Sequence, residues 1–122
     1  MKSEVIWQRI EGAAIFLAGM WVYQALGGGF GWWAILLFFA PDLSFAGYFF
    51  GSRIGAFCYN LVHIYAFGLV AVIVGSMTGS SALMALGALW FSQSGFDRML
   101  GYGLKTDEGF RHTHLGRIGR DA

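Results

Sequence analysis

Four ionisable side chains lie where a long apolar sequence offers them little water: Glu11, Asp42, His63 and Asp97. An acid at the centre of a bilayer costs on the order of 3 kcal/mol on insertion scales, so such groups face inward and find partners. Carboxylates mixed with imidazole are ligands for Zn, Mn or Fe. The same groups also form hydrogen-bonded networks and proton relays. Two further histidines, His112 and His114, stand near the C-terminus in Arg111-His112-Thr113-His114. Histidines two apart point to opposite sides of a helix and converge only in an extended or looped segment. A tail folded back over the bundle would bring His112 or His114 to a divalent cation held by Asp42, His63 and Asp97. Glu11 is then the candidate base for a metal-activated water.

Neighbours at helical spacing supply a supporting set. Asn60 and Tyr59 stand three and four residues before His63, and Gln93 and Ser94 four and three before Asp97. Groups so placed orient an imidazole or a carboxylate. Pro41 precedes Asp42, removes a backbone donor and disfavours helical geometry at Ala40. The chain should therefore break there, with Asp42 able to cap the restarting helix.

The elements that position these residues follow from composition. The chain has 122 residues, 57% hydrophobic and only 12% charged, with a mean hydropathy of +0.57. Soluble domains carry about 25% charged residues, so this is the composition of an integral membrane protein. Apolar runs over 5–26, 30–50, 54–76 and 81–104 each approach the roughly 20 residues that a membrane helix needs. The predicted fold class is all-α: a four-transmembrane-helix up-down bundle over 1–104 with a polar basic tail over 105–122. Lys2, Arg9, Arg53, Lys105, Arg111, Arg117 and Arg120 all fall at one end, and the loops 27–31 and 77–80 have no Lys or Arg. The positive-inside rule then puts both termini and the Arg53 turn in the cytoplasm. At about 1.5 Å per residue, Asp42 and His63 lie roughly 13 Å and Asp97 roughly 12 Å from that face, and Glu11 about 10 Å into its helix. Four groups on four spans thus share one layer.

Nineteen glycines suit close helix packing. Gly68 and Gly75, with Gly87, Gly95 and Gly101, are expected to bring spans three and four together. Cys58 is the only cysteine, so no internal disulfide forms. A net charge of +1 and the absence of a phosphate-binding glycine loop or a nucleophile elbow give no sign of nucleic-acid binding, nucleotide binding or serine hydrolase chemistry.

The chain resembles a bacterial family of small membrane proteins filed as domain of unknown function 4260. The likeness rests on Pro41-Asp42-Leu43-Ser44 with Gly47-Tyr48, Gly55-Ala56 with Tyr59-Asn60 and His63, the run Gly95-Phe96-Asp97-Arg98 to Lys105, and Thr113-His114-Leu115-Gly116. The resemblance implies a multi-pass protein of the bacterial inner membrane and no assigned reaction. The Pro-Asp pair, the helical His, the later Asp and the Arg/His/Thr/His cluster are also similar to membrane-bound metal-dependent hydrolases. Three functions follow as expectations. The first is an accessory or structural membrane protein, alone or as a homo-oligomer or part of a larger membrane complex. The second is a metal-dependent hydrolase of a lipid-like or phosphorylated substrate. The third is a proton- or ion-coupled transporter.

Overall fold

The computed structural model describes residues 2–29, 31–105 and 112–117. Helix α1 is Ser3–Ala25 and α2 is Trp32–Phe38; a 3-10 segment, Ala40–Phe50, follows directly. Helix α3 is Ser52–His63, α4 is Tyr65–Thr78 and α5 is Ser81–Met99. In the tail, His112–Thr113 pairs antiparallel with Gly116–Arg117.

Helix α5 is the centre, packed between α1 and α4. Glycine makes both seams. A Cβ on Gly12 would fall 2.7 Å from the Gly95 carbonyl, and one on Gly95 would fall 2.6 Å from the Gly12 carbonyl. On the other side, Gly68 lies against the Phe91 backbone, and a Cβ on Gly87 would meet the Val72 nitrogen at 2.6 Å. Backbones approach this closely only where side chains are missing, which is how helices associate without a hydrophobic drive between them. Gly68, Gly75 and Gly87 thus pack as expected, whereas Gly95 serves α1 and Gly101, expected in the same seam, lies past the end of α5. Ser92 Oγ donates to the Phe16 carbonyl at 2.7 Å, and Trp90 Nε1 to the Leu37 carbonyl at 3.0 Å, tying α1 and α2 to the same helix.

The ends of α5 are set locally. Ser80 Oγ accepts the Leu83 N–H at 3.2 Å as N-cap. Gly101, at φ 92°, closes the C-terminus: its N–H reaches the Arg98 carbonyl at 3.0 Å, and the Tyr102 N–H reaches the Asp97 carbonyl at 2.7 Å. That pair of bonds is the Schellman arrangement, which only a left-handed residue permits. The helix therefore stops at Met99, short of the 104 read from the apolar run.

The break at Pro41 is present. Helix α2 ends at Phe38, and the chain resumes as a 3-10 helix rather than an α-helix. Asp42 makes no cap with its side chain. The 3-10 segment and α3 form an antiparallel hairpin across Gly51 (φ 112°). Three residues of a 3-10 helix rise about 6 Å, and four residues of an α-helix also rise about 6 Å. Asp42, Phe45 and Tyr48 therefore stay in step with His63, Tyr59 and Gly55. Asp42 meets His63 at 2.9 Å, and Phe45 stacks on Tyr59 with ring centroids 5.4 Å apart. The Tyr48 ring fills the space that a side chain on Gly55 would need.

The reading of one helix over 54–76 differs from what forms. Ile64 is extended (φ −75°, ψ 150°), and α3 and α4 diverge by 48° there. Neither Pro nor Gly stands at the break. The partner is tertiary: the His63 carbonyl, freed by the break, accepts from Arg98 Nη2 at 3.1 Å. By length and composition, two helical stretches, Ser3–Ala25 and Trp32–Phe50, are able to cross a membrane, or three if the bent α3–α4 pair is one span. Helix α5 is not among them, because it carries Ser92, Gln93, Ser94, Asp97 and Arg98 into the interior.

Candidate metal centre

Asp42, His63 and Asp97 come together. One ligand atom from each lies within 4.8 Å of the other two. His63 Nε2 is 2.9 Å from Asp42 Oδ1 and 3.4 Å from Asp97 Oδ2. The His63 side chain is fully buried, whereas that of Asp42 is 31% exposed. The common depth read from the sequence thus becomes contact for three of the four layer residues. Glu11 is exposed on α1 and does not join them.

The imidazole is oriented by its own helix. His63 Nδ1 lies 2.9 Å from the Tyr59 carbonyl, which only accepts, so Nδ1 carries the proton. The Tyr59 ring stacks on the imidazole at 3.8 Å. Nε2 is therefore the atom that faces both carboxylates. A neutral ring would aim its lone pair at two anionic oxygens, so the convergence point calls for a proton, on the ring or on a carboxyl, or for a cation. A metal-bound histidine is held in the same way, with its other N–H on a carbonyl.

Helix α5 supplies the rest. Gln93 Nε2 donates to Asp97 Oδ2 at 2.9 Å and to Asp42 Oδ1 at 3.3 Å. Arg98 does not reach out to the membrane surface: it is buried, gives Nη2 to the His63 carbonyl and lies 5.3 Å over the Tyr65 ring. It fixes the end of α3, and with it the height of His63. Ser94 Oγ is buried and has no hydrogen-bond partner among the described residues.

Asn60 serves the tail instead of the imidazole. Its side chain accepts the Lys105 N–H at 2.6 Å and donates to the Lys105 carbonyl at 2.8 Å. Lys105 pairs with Thr113 in an isolated bridge, so the tail does return to the bundle. The Lys105 ammonium lies 4.8 Å from the centre of the Tyr59 ring. Burial pulls its pKa down to about 8, against the opposing pull of Asp97 and Asp42. His114 Nδ1 accepts the Leu104 N–H at 2.8 Å, which uses a ligand atom for the turn and leaves His114 outside the three-residue group. The side chain of His112 lies outside the described residues.

Sequence spacing missed Arg98 and Lys105 as parts of the site. Arg98 could have been found from Asp97-Arg98 at a polar helix end, had the break at Ile64 been visible.

The fold and the cluster define a class: a helical protein with the apolar helices of a membrane protein and an Asp–His–Asp constellation that is buried except at Asp42. A model of the family described as Domain of unknown function (DUF4260) matches residues 5–118, and the chain belongs to that family. No curated protein and no solved structure matches it.

Proposed function

We propose that this chain is a four-span inner-membrane protein, its fourth span being α5 with the polar side chains kept in the interior, that has both termini and the Arg53 turn in the cytoplasm and binds one divalent transition-metal ion at Asp42, His63 and Asp97. The observation that carries the reading is the convergence of His63 Nε2 with two carboxylate oxygens while Nδ1–H is committed to a carbonyl. A divalent ion balances two carboxylates beside a neutral ring, and His with carboxylates suits Zn, Mn or Fe. Bilayer residence is supported by large apolar side chains left in the open, among them Leu43, Phe49 and Met77, each about 80–90% exposed. The loops at 27–31 and 77–80 lack basic residues, which supports the orientation.

A bound ion of this kind supplies Lewis acidity and an acidified water. The partly exposed side of Asp42 is where a lipid-like or phosphorylated substrate would approach. Glu11 stands too far out on α1 to be placed in that chemistry, and His114 is occupied by the turn. The tail has a different part here: it covers Tyr59 with Lys105.

A second reading has its own support. Gln93 gives its amide to both carboxylates, so a proton on His63 Nε2 would complete a metal-free network holding the helices in register. This is the accessory or structural form of the protein. Elemental analysis of protein purified without chelator separates the two. About one metal per chain in the wild type, lost in an Asp42→Ala, His63→Ala double variant, supports the metal site. A metal-free wild type supports the network.

A further inference from the structure

We propose that Gln93 is the fourth ligand of this centre, its amide turning over when the ion binds. The inference rests on the metal reading above and adds a residue and a coordination number to it. Gln93 Nε2 and His63 Nε2 approach the same two carboxylate oxygens: the distances to Asp42 Oδ1 and Asp97 Oδ2 are 2.9 and 3.4 Å from His63, and 3.3 and 2.9 Å from Gln93. A tetrahedral site with bonds of about 2.0–2.1 Å has ligand-to-ligand edges of about 3.3–3.4 Å. Two of the four distances are at that length and two, at 2.9 Å, are short of it, so modest side-chain shifts would set Asp42, Asp97, His63 and Gln93 at the corners of such a figure.

The corner held by Gln93 now carries Nε2, a donor, which is what two carboxylates require without a cation. The other end of the same amide, Oε1, is buried and has no hydrogen-bond partner among the described residues, in a side chain with no solvent exposure. Rotation by about half a turn about the last side-chain bond exchanges the two atoms at nearly unchanged shape. It places a carbonyl oxygen, a ligand for hard and borderline cations, at the fourth corner. At the corner facing the carboxylates the amide thus offers what each state needs: a donor when the centre holds no metal, an acceptor when it holds one. An amide oxygen is uncharged, so water or substrate can displace it more readily than either carboxylate.

Cobalt(II) reads this directly, since its visible absorption is strong for four-coordinate sites and weak for six-coordinate ones. Co2+ would be titrated into detergent-purified wild type, Gln93→Leu and Gln93→Glu, with helicity checked by circular dichroism. The inference expects an intense wild-type band, binding weakened on the order of tenfold or more in Gln93→Leu with a changed band, and binding kept or tightened with a shifted band in Gln93→Glu. If Gln93→Leu is misfolded, the Gln93→Glu spectrum decides: an unshifted band overturns the inference. Wild-type affinity and spectrum in a folded Gln93→Leu also overturn it while leaving the metal site standing. A wild type that binds neither Co2+ nor Zn2+ overturns both.

Discussion

Around α5, helices touch through absent side chains; in the hairpin of Ala40–Phe50 and α3, they touch through rings. Gly12 with Gly95 and Gly68 with Gly87 bring backbones together over the length of the core. In the hairpin, Phe45 on Tyr59 and Tyr59 on His63 make a column of stacked groups, and only Gly47 and Gly55 give room. The first kind of packing tolerates no added atom, because its neighbours are backbone. The second is adjustable, because its neighbours are side chains. The polar cluster lies where the two regions meet: Asp42 and His63 come from the hairpin, Asp97, Gln93 and Arg98 from the core. A site shared in this way can report how the hairpin sits on the core, which a site within α5 could not.

Filling the core should have the largest effect. Gly68→Ala puts a methyl group into the Phe91 backbone. Overpacking against backbone that cannot yield should cost about 3 kcal/mol or more, read as loss of a folded, monodisperse species in detergent. If Gly68→Ala folds normally, the core is no stiffer than the hairpin. Next comes Arg98→Met. It leaves the His63 carbonyl without its buried donor at a broken helix, a loss of about 1–3 kcal/mol. Hydrogen exchange should quicken at 60–66 with little change at 84–90; equal quickening in both would mean that Arg98 does not act locally.

Gly55→Ala should do less. Its new methyl group meets the Tyr48 ring, which can swing aside, so about 1 kcal/mol is expected. A Gly55→Ala, Tyr48→Leu double variant should recover much of it, and no recovery would argue against the stepped pairing of the two helices. The last effect is read through pH and lies in the tail. Lys105 has a folded pKa of about 8 against its ordinary 10.5, so the unfolded chain binds the extra proton over that interval. Stability in EDTA should therefore rise between pH 8 and 10.5 and be flat for this group below 8. In Lys105→Met that rise should disappear; an unchanged slope would assign it elsewhere.

Much of the helical pattern was legible because it depends on local chemistry. Pro41 marks a break, and long apolar runs mark the helical stretches; Gly101, read as a packing glycine inside the last run, instead ends its helix. The shared depth of Asp42, His63 and Asp97 was legible because rise per residue converts position into height. The unread parts are those that depend on a partner. The bend at Ile64 has no breaker in its own sequence and is held by an arginine 34 residues on. The 3-10 winding of Ala40–Phe50 rotates each residue further than an α-helix does, so Asp42, Phe45 and Tyr48 align at a spacing of three that an α-helical reading does not see. Glu11 shows the opposite failing: depth alone placed it in the layer, and the rotation of α1 turned it outward.

The claim that a metal joins hairpin to core is tested most directly by hydrogen exchange on the wild type, with one equivalent of Zn2+ and with EDTA. Added metal should slow exchange at 42–48 and 55–63 while leaving the α1–α5 seam at 12–19 and 87–95 unchanged, apart from the immediate neighbourhood of Gln93. Identical exchange in the two conditions would contradict it.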